Sequence, residues 1–267
     1  NPYRGCEHGC VYCFARPSHA YLGLSPGLDF ETRLSAKVNA PDLLRRELAA
    51  RGYAARPIVL GANTDAYQPL ERTRGIARGV LEVLAEARHP VTIVTKGTLV
   101  ARDLDLLGPM AAEGLAKVCV SVTTLDGDLA RRLEPRAPRP DRRLETIAAL
   151  AAAGVPTVVL MAPVVPAIND PEIEAVLAAA GKAGASHAGY VLLRLPREVE
   201  TIFGEWLLRH YPDRARRVME LVRSTRGGKA YDSRWGKRLV GEGPYAEMIA
   251  RRFALAARRA GLSTDRI

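Results

Sequence analysis

Three of the four cysteines lie within eight positions near the start of the chain. Cys6, Cys10 and Cys13 have the spacing C-x3-C-x2-C, which allows three thiolates to converge on one inorganic centre. Gly5 and Gly9 give this loop the backbone freedom that tight wrapping requires. Because a cubane iron–sulfur cluster normally takes four protein ligands, three thiolates would leave one iron free. A free iron indicates catalysis.

Three other interpretations of the loop remain open at this point. They are a zinc knuckle completed by His8, a redox pair formed by Cys10 and Cys13, and cysteines that only pack. His8 lies inside the three-residue gap, where its geometry as a fourth ligand would be cramped. Tyr12 and Phe14 flank the third cysteine, which is more aromatic character than a zinc knuckle needs.

The loop resembles the signature of the radical S-adenosylmethionine (SAM) enzymes, in the spacing of its cysteines and in Tyr12. The resemblance implies that Cys6, Cys10 and Cys13 hold a [4Fe–4S] cluster and that SAM chelates the fourth iron. It also implies reductive cleavage of SAM to a 5′-deoxyadenosyl radical that abstracts hydrogen from a substrate. An external electron donor such as flavodoxin or ferredoxin is then expected as a partner.

Size and composition predict an ordinary soluble globular protein. The chain has 267 residues, of which 48% are hydrophobic and 25% charged, enough for one large α/β domain and an appendage. The cysteine pattern fits a reducing compartment better than a disulfide scaffold. No apolar run approaches a membrane span and no signal peptide is evident. These features predict a cytoplasmic protein without a membrane partner, and the start at Asn1 predicts that an upstream strand is missing.

The positive charge is concentrated towards the C-terminus. The formal net charge is +10, and positions 187–262 contain 16 Lys and Arg residues against 8 Asp and Glu residues. This excess predicts a polyanionic partner. Within 223–238, basic side chains alternate with Tyr231 and Trp235, a pattern that suits phosphate contacts and base stacking. The alternative is a basic surface loop whose aromatic rings pack on the domain.

Apolar runs alternate with amphipathic segments along most of the chain. They predict strands at 30–38, 57–61, 91–95, 117–122, 156–161 and 188–193, and helices at 41–48, 71–88, 102–113, 170–183, 212–223 and 244–261. About six βα units are too few for a closed eight-fold barrel. We therefore predict an α/β fold, an open partial (β/α)6 TIM-type barrel over residues 1–195 with a basic helical extension over 196–267. Periodicity alone leaves a doubly wound sheet open.

Polar residues follow several predicted strands, where α/β enzymes place their site residues. Asn63, Thr64 or Asp65 is expected to bind the methionyl amino group of SAM, as the family uses polar residues after its second strand. The alternative is a turn whose side chains cap the next helix. Lys96 is a candidate partner for the SAM carboxylate, or else a solvated loop lysine.

The next strand ends supply further candidates for binding the cofactor. The hydroxyls of Ser121 and Thr123 suit the ribose or methionyl end of SAM. Arg136 is a candidate clamp for a carboxylate, oriented by Glu134, although both could form a surface ion pair. Ala162 is a candidate apolar wall for adenine, or else part of the core.

Three residues are candidates for the catalytic step itself. Cys119 points to the same side of its strand as Ser121, so its thiol is a candidate hydrogen-atom donor. The alternative is a small buried hydrophobe. Tyr67, in the polar segment after the second strand, and Tyr231, in the basic segment, complete the set.

Across most of its length the chain resembles the spore photoproduct lyase-related branch of the radical SAM family. Beyond the cysteine loop, the resemblance rests on 61–65, Thr95 with Lys96, Ser121 and 234–237. The branch implies DNA lesion repair with a cysteine hydrogen donor near the second strand, where this chain has Leu60, Gly61 and Ala62 instead. We therefore expect a DNA lesion or a nucleic-acid base as substrate. The alternatives are a small-molecule or protein substrate, and a non-catalytic zinc or cluster module that binds nucleic acid.

Overall fold

Seven short strands form two sheets in the computed structural model, which describes residues 1–265. The strands are β1 (Tyr3–Arg4), β2 (Ser35–Ala36), β3 (Ile58–Leu60), β4 (Val91–Thr95), β5 (Ala116–Ser121), β6 (Thr157–Val164) and β7 (His187–Leu192). β1 and β2 form a small antiparallel pair, and β3 to β7 form a parallel sheet in that order. Four predicted strands match β3, β4, β5 and β7 with ends that differ by at most two residues. The fifth, predicted at 156–161, matches β6, which extends further, to Val164.

Helices precede, connect and follow the parallel strands. They are α1 (Asp29–Thr32), α2 (Ala40–Leu48), α3 (Glu71–Arg74), α4 (Ile76–Glu86), α5 (Leu104–Ala112), α6 (Gly127–Leu133), α7 (Pro140–Ala152), α8 (Ile173–Lys182), α9 (Glu198–His210), α10 (Pro212–Ser224), α11 (Lys237–Val240) and α12 (Pro244–Arg259). Short 3-10 helices cover Arg16–Leu22, Thr98–Asp103 and Asp170–Glu172.

The order of the parallel strands confirms an open partial barrel. Each strand pairs with the next one along the chain, and the order never reverses. A doubly wound sheet requires a reversal, at which helices move to the other face. With right-handed crossovers throughout, the helices instead lie on one face and leave the other face as the interior of an open barrel.

The prediction of a strand at 30–38 is wrong. Phe30 lies in α1, and only Ser35 and Ala36 are extended, paired with β1 rather than with the parallel sheet. Phe30 is completely buried, packs with Cys6 and Ala15, and accepts a hydrogen bond from the Cys6 amide at 2.9 Å. Contacts with the cysteine loop thus override the short alternating pattern, and the sheet has five strands.

Two other differences concern helices. The predicted helix at 71–88 is divided at Gly75, whose φ of 61° ends α3 and begins α4. Sequence reasoning missed α9, although its buried Val199, Phe203, Trp206 and Leu207 have the spacing of one helical face. That spacing was the available signal.

The hydrophobic core has two main parts. One lies between the sheet and its outer helices, and α12 joins it through Ile249 and Phe253. The other joins Cys10 and Tyr12 of the cysteine loop to α6, α9 and α10. The residues predicted as an extension thus pack in two places, behind the cysteine loop and on the outside of the barrel. Within residues 1–265, no helix combines the length and apolar character needed to cross a membrane.

Asn169 ties together the ends of β5 and β6. Its side chain is completely buried. The oxygen accepts a hydrogen bond from the Val165 amide at 2.6 Å, and the nitrogen donates to the carbonyls of Thr123 at 2.7 Å and Pro163 at 3.0 Å. Three backbone groups near the strand ends therefore depend on one side chain.

We expect Asn169→Ala to lower the free energy of unfolding by roughly 2 to 4 kcal/mol, because it leaves buried donors and acceptors unpaired. Urea unfolding followed by circular dichroism measures the change. Asn39→Ala is the matched control, since Asn39 precedes α2 with no side-chain capping bond and is exposed; it should change stability by less than about 0.5 kcal/mol. Equal effects of the two substitutions would contradict the role of Asn169.

Candidate functional site

A cavity of about 390 Å³ lies where the cysteine loop meets the carboxyl ends of the parallel strands. This volume falls in the range of small-molecule sites, roughly 300 to 1,000 Å³. The lining residues are Cys6, His8, Cys10, Tyr12, Cys13, Phe14, Gly61, Ala62, Asn63, Asp65, Val94, Thr95, Lys96, Ser121, Leu160, Ala162, Pro163, Val191, Leu192, Leu193, Arg194 and Leu239.

All three cysteines of the loop line this one cavity. Burial raises the pKa of Cys10 to about 12 and raises the pKa of Cys6 well above its ordinary value. A bound cation would reverse this tendency, since metal-coordinated thiols are deprotonated. Three thiols directed at one space, with soft sulfur donors, fit the three protein ligands of an iron–sulfur cluster.

His8 is engaged elsewhere in the site. Its Nδ1 lies 3.4 Å from the Asp65 Oδ2. In residues 1–265 no three His, Cys, Asp or Glu side chains are grouped so as to hold a single metal ion.

Arg16 holds the cysteine loop in place from behind, and sequence reasoning missed it. Its completely buried guanidinium donates hydrogen bonds to the carbonyls of Cys10 at 2.9 Å and Gly9 at 3.0 Å, and to the Glu31 carboxylate at 2.5 Å. Two further carbonyls, of Pro26 and Gly27, accept from the same group at 3.0 Å. One arginine therefore fixes the backbone of the cysteine loop at Gly9 and Cys10.

Arg136 lies outside the cavity, so the prediction that it clamps a cofactor carboxylate is not supported by its position. Its guanidinium donates to the Glu7 carbonyl and to the Glu31 carboxylate. It also packs closely on Gly9, where a Cβ would come within 2.3 Å of the guanidinium. Glu31 thus attracts Arg136 to the outer side of the cysteine loop.

Asp65 organises the cavity wall beyond β3 and β4. It accepts hydrogen bonds from the Thr95 hydroxyl at 2.6 Å, the Lys96 amide at 2.7 Å and the Tyr67 amide at 2.9 Å. Burial alone would raise the pKa of Asp65, but His8 and these donors outweigh it and hold the pKa well below its usual range. The Asp65 carboxylate therefore fixes the position of the Lys96 backbone.

Lys96 places a positive charge inside the cavity. Burial would lower the pKa of this ammonium, but the neighbouring Cys10 and Glu134 outweigh burial and raise it. The Nζ atom lies 5.7 Å from the centre of the Tyr12 ring, within the range of a cation–π contact. A protonated Lys96 suits the carboxylate of a ligand.

A buried ion pair fixes Tyr12 of the cysteine loop. Glu134 and Arg143 are each 1% exposed and form a salt bridge. The Glu134 carboxylate also accepts hydrogen bonds from the Tyr12 hydroxyl and, at 2.6 Å, from the Thr123 hydroxyl. Burial alone would raise the pKa of Glu134, yet Arg143, Lys96 and these donors lower it to about 2.

The structure brings nine of the predicted site residues together around the cavity and leaves six outside its lining. Lining residues are Cys6, Cys10, Cys13, Tyr12, Asn63, Asp65, Lys96, Ser121 and Ala162. The residues outside the lining are Thr64, Thr123, Arg136, Cys119, Tyr67 and Tyr231. Their roles in binding or catalysis remain predictions. The two threonines among the six have structural partners: Thr123 donates to Glu134, and Thr64 donates to the Tyr3 carbonyl at 2.7 Å.

The three predicted catalytic residues are not in the cavity wall. Cys119 is on the same face of β5 as Ser121, two residues before it, and lies opposite Val94 of β4. Burial raises the pKa of Cys119 to about 11. Tyr67 is in the main core, where its hydroxyl donates to Asp103 at 2.9 Å. Tyr231 lies near Arg194, which belongs to the cavity lining.

Residues near the C-terminus also reach the cavity, which sequence reasoning did not predict. Arg194, just after β7, and Leu239 of α11 both belong to the lining. The buried Arg226 connects these segments, because it donates to the carbonyls of Leu192 at 2.8 Å and Lys237 at 2.9 Å. The basic segment is thereby fixed beside the cavity.

Known proteins resemble the chain in sequence and in fold. A family model described as the Radical SAM superfamily matches residues 1–180. Uncharacterised proteins of Mycobacterium bovis and Mycobacterium tuberculosis are each 39% identical over 225 residues, or 84% of this chain. The chain spans 66% of the length of these relatives. An uncharacterised protein of Methanocaldococcus jannaschii is 26% identical over 172 residues, 64% of this chain and 62% of that protein.

A solved structure of spore photoproduct lyase complexed with dinucleoside spore photoproduct shares the fold. The two superpose with a TM-score of 0.68 at 15% sequence identity, over 97% of this chain and 73% of that chain.

We expect Glu134→Gln to lower the free energy of unfolding at pH 7 by about 3 to 5 kcal/mol, because Arg143 would remain buried without its counter-charge. The folded pKa of about 2 lies below the ordinary 4.5. Stability from Glu134 is therefore complete above about pH 4.5 and is lost as the pH falls towards 2. Urea unfolding of the metal-free protein between pH 2 and 7 should show this loss in the parent and not in the variant.

Glu145→Gln is the matched control, since Glu145 forms an exposed ion pair with Arg142 and should change stability by less than about 1 kcal/mol. A pH dependence that is the same in the parent and in Glu134→Gln would contradict the role of the buried pair.

Proposed function

The chain belongs to the radical SAM superfamily, and from that premise we propose that it is a radical enzyme whose substrate is nucleic acid. The superfamily uses a [4Fe–4S] cluster and SAM. When bound, these supply a 5′-deoxyadenosyl radical by reductive cleavage of SAM, and the radical abstracts hydrogen from a substrate. The observation that carries the proposal is that one cavity has the three thiols and Lys96 in its wall and a residue of the basic C-terminal segment, Leu239, at its edge.

The residues that hold the cofactors follow from the cavity wall. Cys6, Cys10 and Cys13 would bind the cluster, and Lys96 would pair with the SAM carboxylate. Asn63, which lines the cavity and is exposed there, offers its amide to the methionyl amino group. Asp65 acts as a positioning residue for this edge, since its carboxylate already accepts bonds from Thr95 and Lys96.

The opposite wall suits the nucleoside part of SAM. The Ser121 hydroxyl faces the cavity and can bind the ribose, and Ala162 with Pro163 provides an apolar surface for adenine. Members of the superfamily require a reductant, and we propose a small electron carrier such as flavodoxin or ferredoxin. An oxygen-sensitive cluster fits a reducing compartment, so we place the enzyme in the cytoplasm.

Two observations support nucleic acid as the substrate. The structural relative with a TM-score of 0.68 was solved with a dinucleoside photoproduct, which is a fragment of damaged nucleic acid. The segment 187–262 of this chain carries 16 basic against 8 acidic residues, which favours a polyanion. Because β3 and the turn after it carry no cysteine, we propose a lyase-like repair of another lesion, or modification of a base.

We expect Cys10→Ala to abolish the formation of 5′-deoxyadenosine and to remove most of the iron, because the cluster would lose one of three ligands. The assay combines the anaerobically reconstituted protein with dithionite and SAM, and it measures iron per chain and product by chromatography. Cys119→Ala is the matched control, since Cys119 does not line the cavity, and it should retain the iron. Undiminished product after Cys10→Ala, or no product from the parent protein, would overturn the proposed radical chemistry.

We expect the reconstituted protein to bind single-stranded DNA with an affinity that falls steeply as salt rises, because phosphate contacts release counterions. Fluorescence anisotropy between about 50 and 200 mM salt measures the slope. A second measurement follows SAM consumption with undamaged and ultraviolet-irradiated DNA, one of which should increase it. If the protein forms 5′-deoxyadenosine but neither DNA binds, the substrate is a small molecule or a protein.

A further inference from the structure

We propose that Arg194 binds a backbone phosphate of the nucleic-acid substrate at the cavity mouth while the exposed ring of Trp235 stacks on a neighbouring base. The inference rests on the proposed function and deepens it from a substrate class to the residues that contact the strand. Neither residue holds the cluster or SAM in the assignment above.

Arg194 is a cation of the cavity wall without a counter-charge. Its guanidinium lies 3.9 Å from the centre of the Phe14 ring, and its position after β7 directs it into the lining. Among residues 1–265 no carboxylate lies within 4 Å of it, whereas the buried Arg143 is paired with Glu134. A half-buried guanidinium that stacks on an aromatic ring keeps its polar edge available for a planar or tetrahedral anion.

Like charges surround this position. Burial lowers the pKa of Arg194 and the nearby Arg238 contributes in the same direction, while Tyr231 and Cys13 partly oppose them. Burial and Arg194 likewise lower the pKa of Arg226. The Arg194 guanidinium itself lies in the cavity wall, stacked on Phe14, where an anion would find a positive charge.

Most of the neighbouring basic residues are already neutralised. Arg234 pairs with Asp232 and Glu242, and Lys237 pairs with Glu242. In the part of the chain that the structure describes, Arg238 has no carboxylate within 4 Å and instead lies 4.4 Å from the centre of the Trp235 ring. Arg194 and Arg238 are therefore charges of this region that remain available to a ligand.

Trp235 presents a large aromatic surface to solvent, with 85% of its side chain exposed. Leu239, four positions later, lines the cavity. Four residues span at most about 14 Å even when fully extended, so the Trp235 backbone lies within that distance of a residue of the cavity wall. Exposed aromatic rings next to cationic groups are typical platforms for bases of single-stranded nucleic acid.

The pairing of an unpaired cation with an exposed ring favours nucleic acid over an acidic peptide. Either ligand could supply a negative charge to Arg194. Only a nucleic acid supplies a phosphate and a planar base at a fixed spacing along one chain. An acidic peptide becomes an outcome of the test.

The test uses the reconstituted protein with SAM and a set of short single-stranded DNAs, each with one phosphodiester replaced by a neutral methylphosphonate. We expect one replacement to weaken binding to the parent protein about tenfold, measured by anaerobic anisotropy. Arg194→Gln should bind that DNA and the unmodified DNA equally, and its slope of log affinity against log salt should be smaller by about 0.7. Arg216→Gln, which removes a 92% exposed arginine of α10, should behave like the parent.

Trp235→Ala tests the stacking contact at a position that is not part of the cysteine loop. It should weaken DNA binding on the order of tenfold and leave the salt slope unchanged, since it removes no charge. If Arg194→Gln lost iron, the methylphosphonate series on the parent protein and Trp235→Ala would still decide the proposal.

Several results would overturn the inference separately from the proposed function. Insensitivity of the parent protein to every methylphosphonate, sensitivity retained in Arg194→Gln, or unchanged binding by Trp235→Ala would each do so. Salt-dependent binding of a polyglutamate peptide in place of DNA would also overturn it. Failure of the parent protein to form 5′-deoxyadenosine would instead overturn the proposed function.

Discussion

The buried ion pair between Glu134 and Arg143 is the interaction on which the site most depends. Arg143 donates not only to Glu134 but also to the carbonyls of Ser121 at 3.1 Å and Pro138 at 2.7 Å. Glu134 in turn accepts from Tyr12 in the cysteine loop. Burying two charges is costly unless further hydrogen bonds satisfy them, and here those bonds come from the loop, from β5 and from the turn before α7. The desolvated pair thus joins the cysteine loop to the strand ends.

Arg16 provides a second support, from the opposite side of the loop. Its five donor groups are directed at four backbone carbonyls and one carboxylate. A loop of this kind has little secondary structure of its own, so its carbonyls need partners from elsewhere. With Arg16 behind it and Glu134 beneath Tyr12, the three thiols are positioned before any cofactor binds.

The sequence was most informative where chemistry and local pattern coincide. The cysteine spacing and the polar residues after β3, β4 and β5 identified Asp65, Lys96 and Ser121, because parallel strands align their carboxyl ends at one edge. The strand prediction at 30–38 failed because the burial of Phe30 depends on the cysteine loop, which no local pattern reveals. Arg194 was missed because it stands between leucines, so the sequence around it continues the apolar run of β7.

Two different parts of the chain build the cavity wall, and Leu239 and Arg194 come from the later part. Both residues, together with Trp235, follow residue 180, where the match to the superfamily ends. The segment that matches the superfamily thus carries the three thiols and Lys96, and the remainder of the chain completes one edge of the same cavity. A substitution in the last third of the chain can therefore reshape this edge of the cavity without touching the cysteine loop.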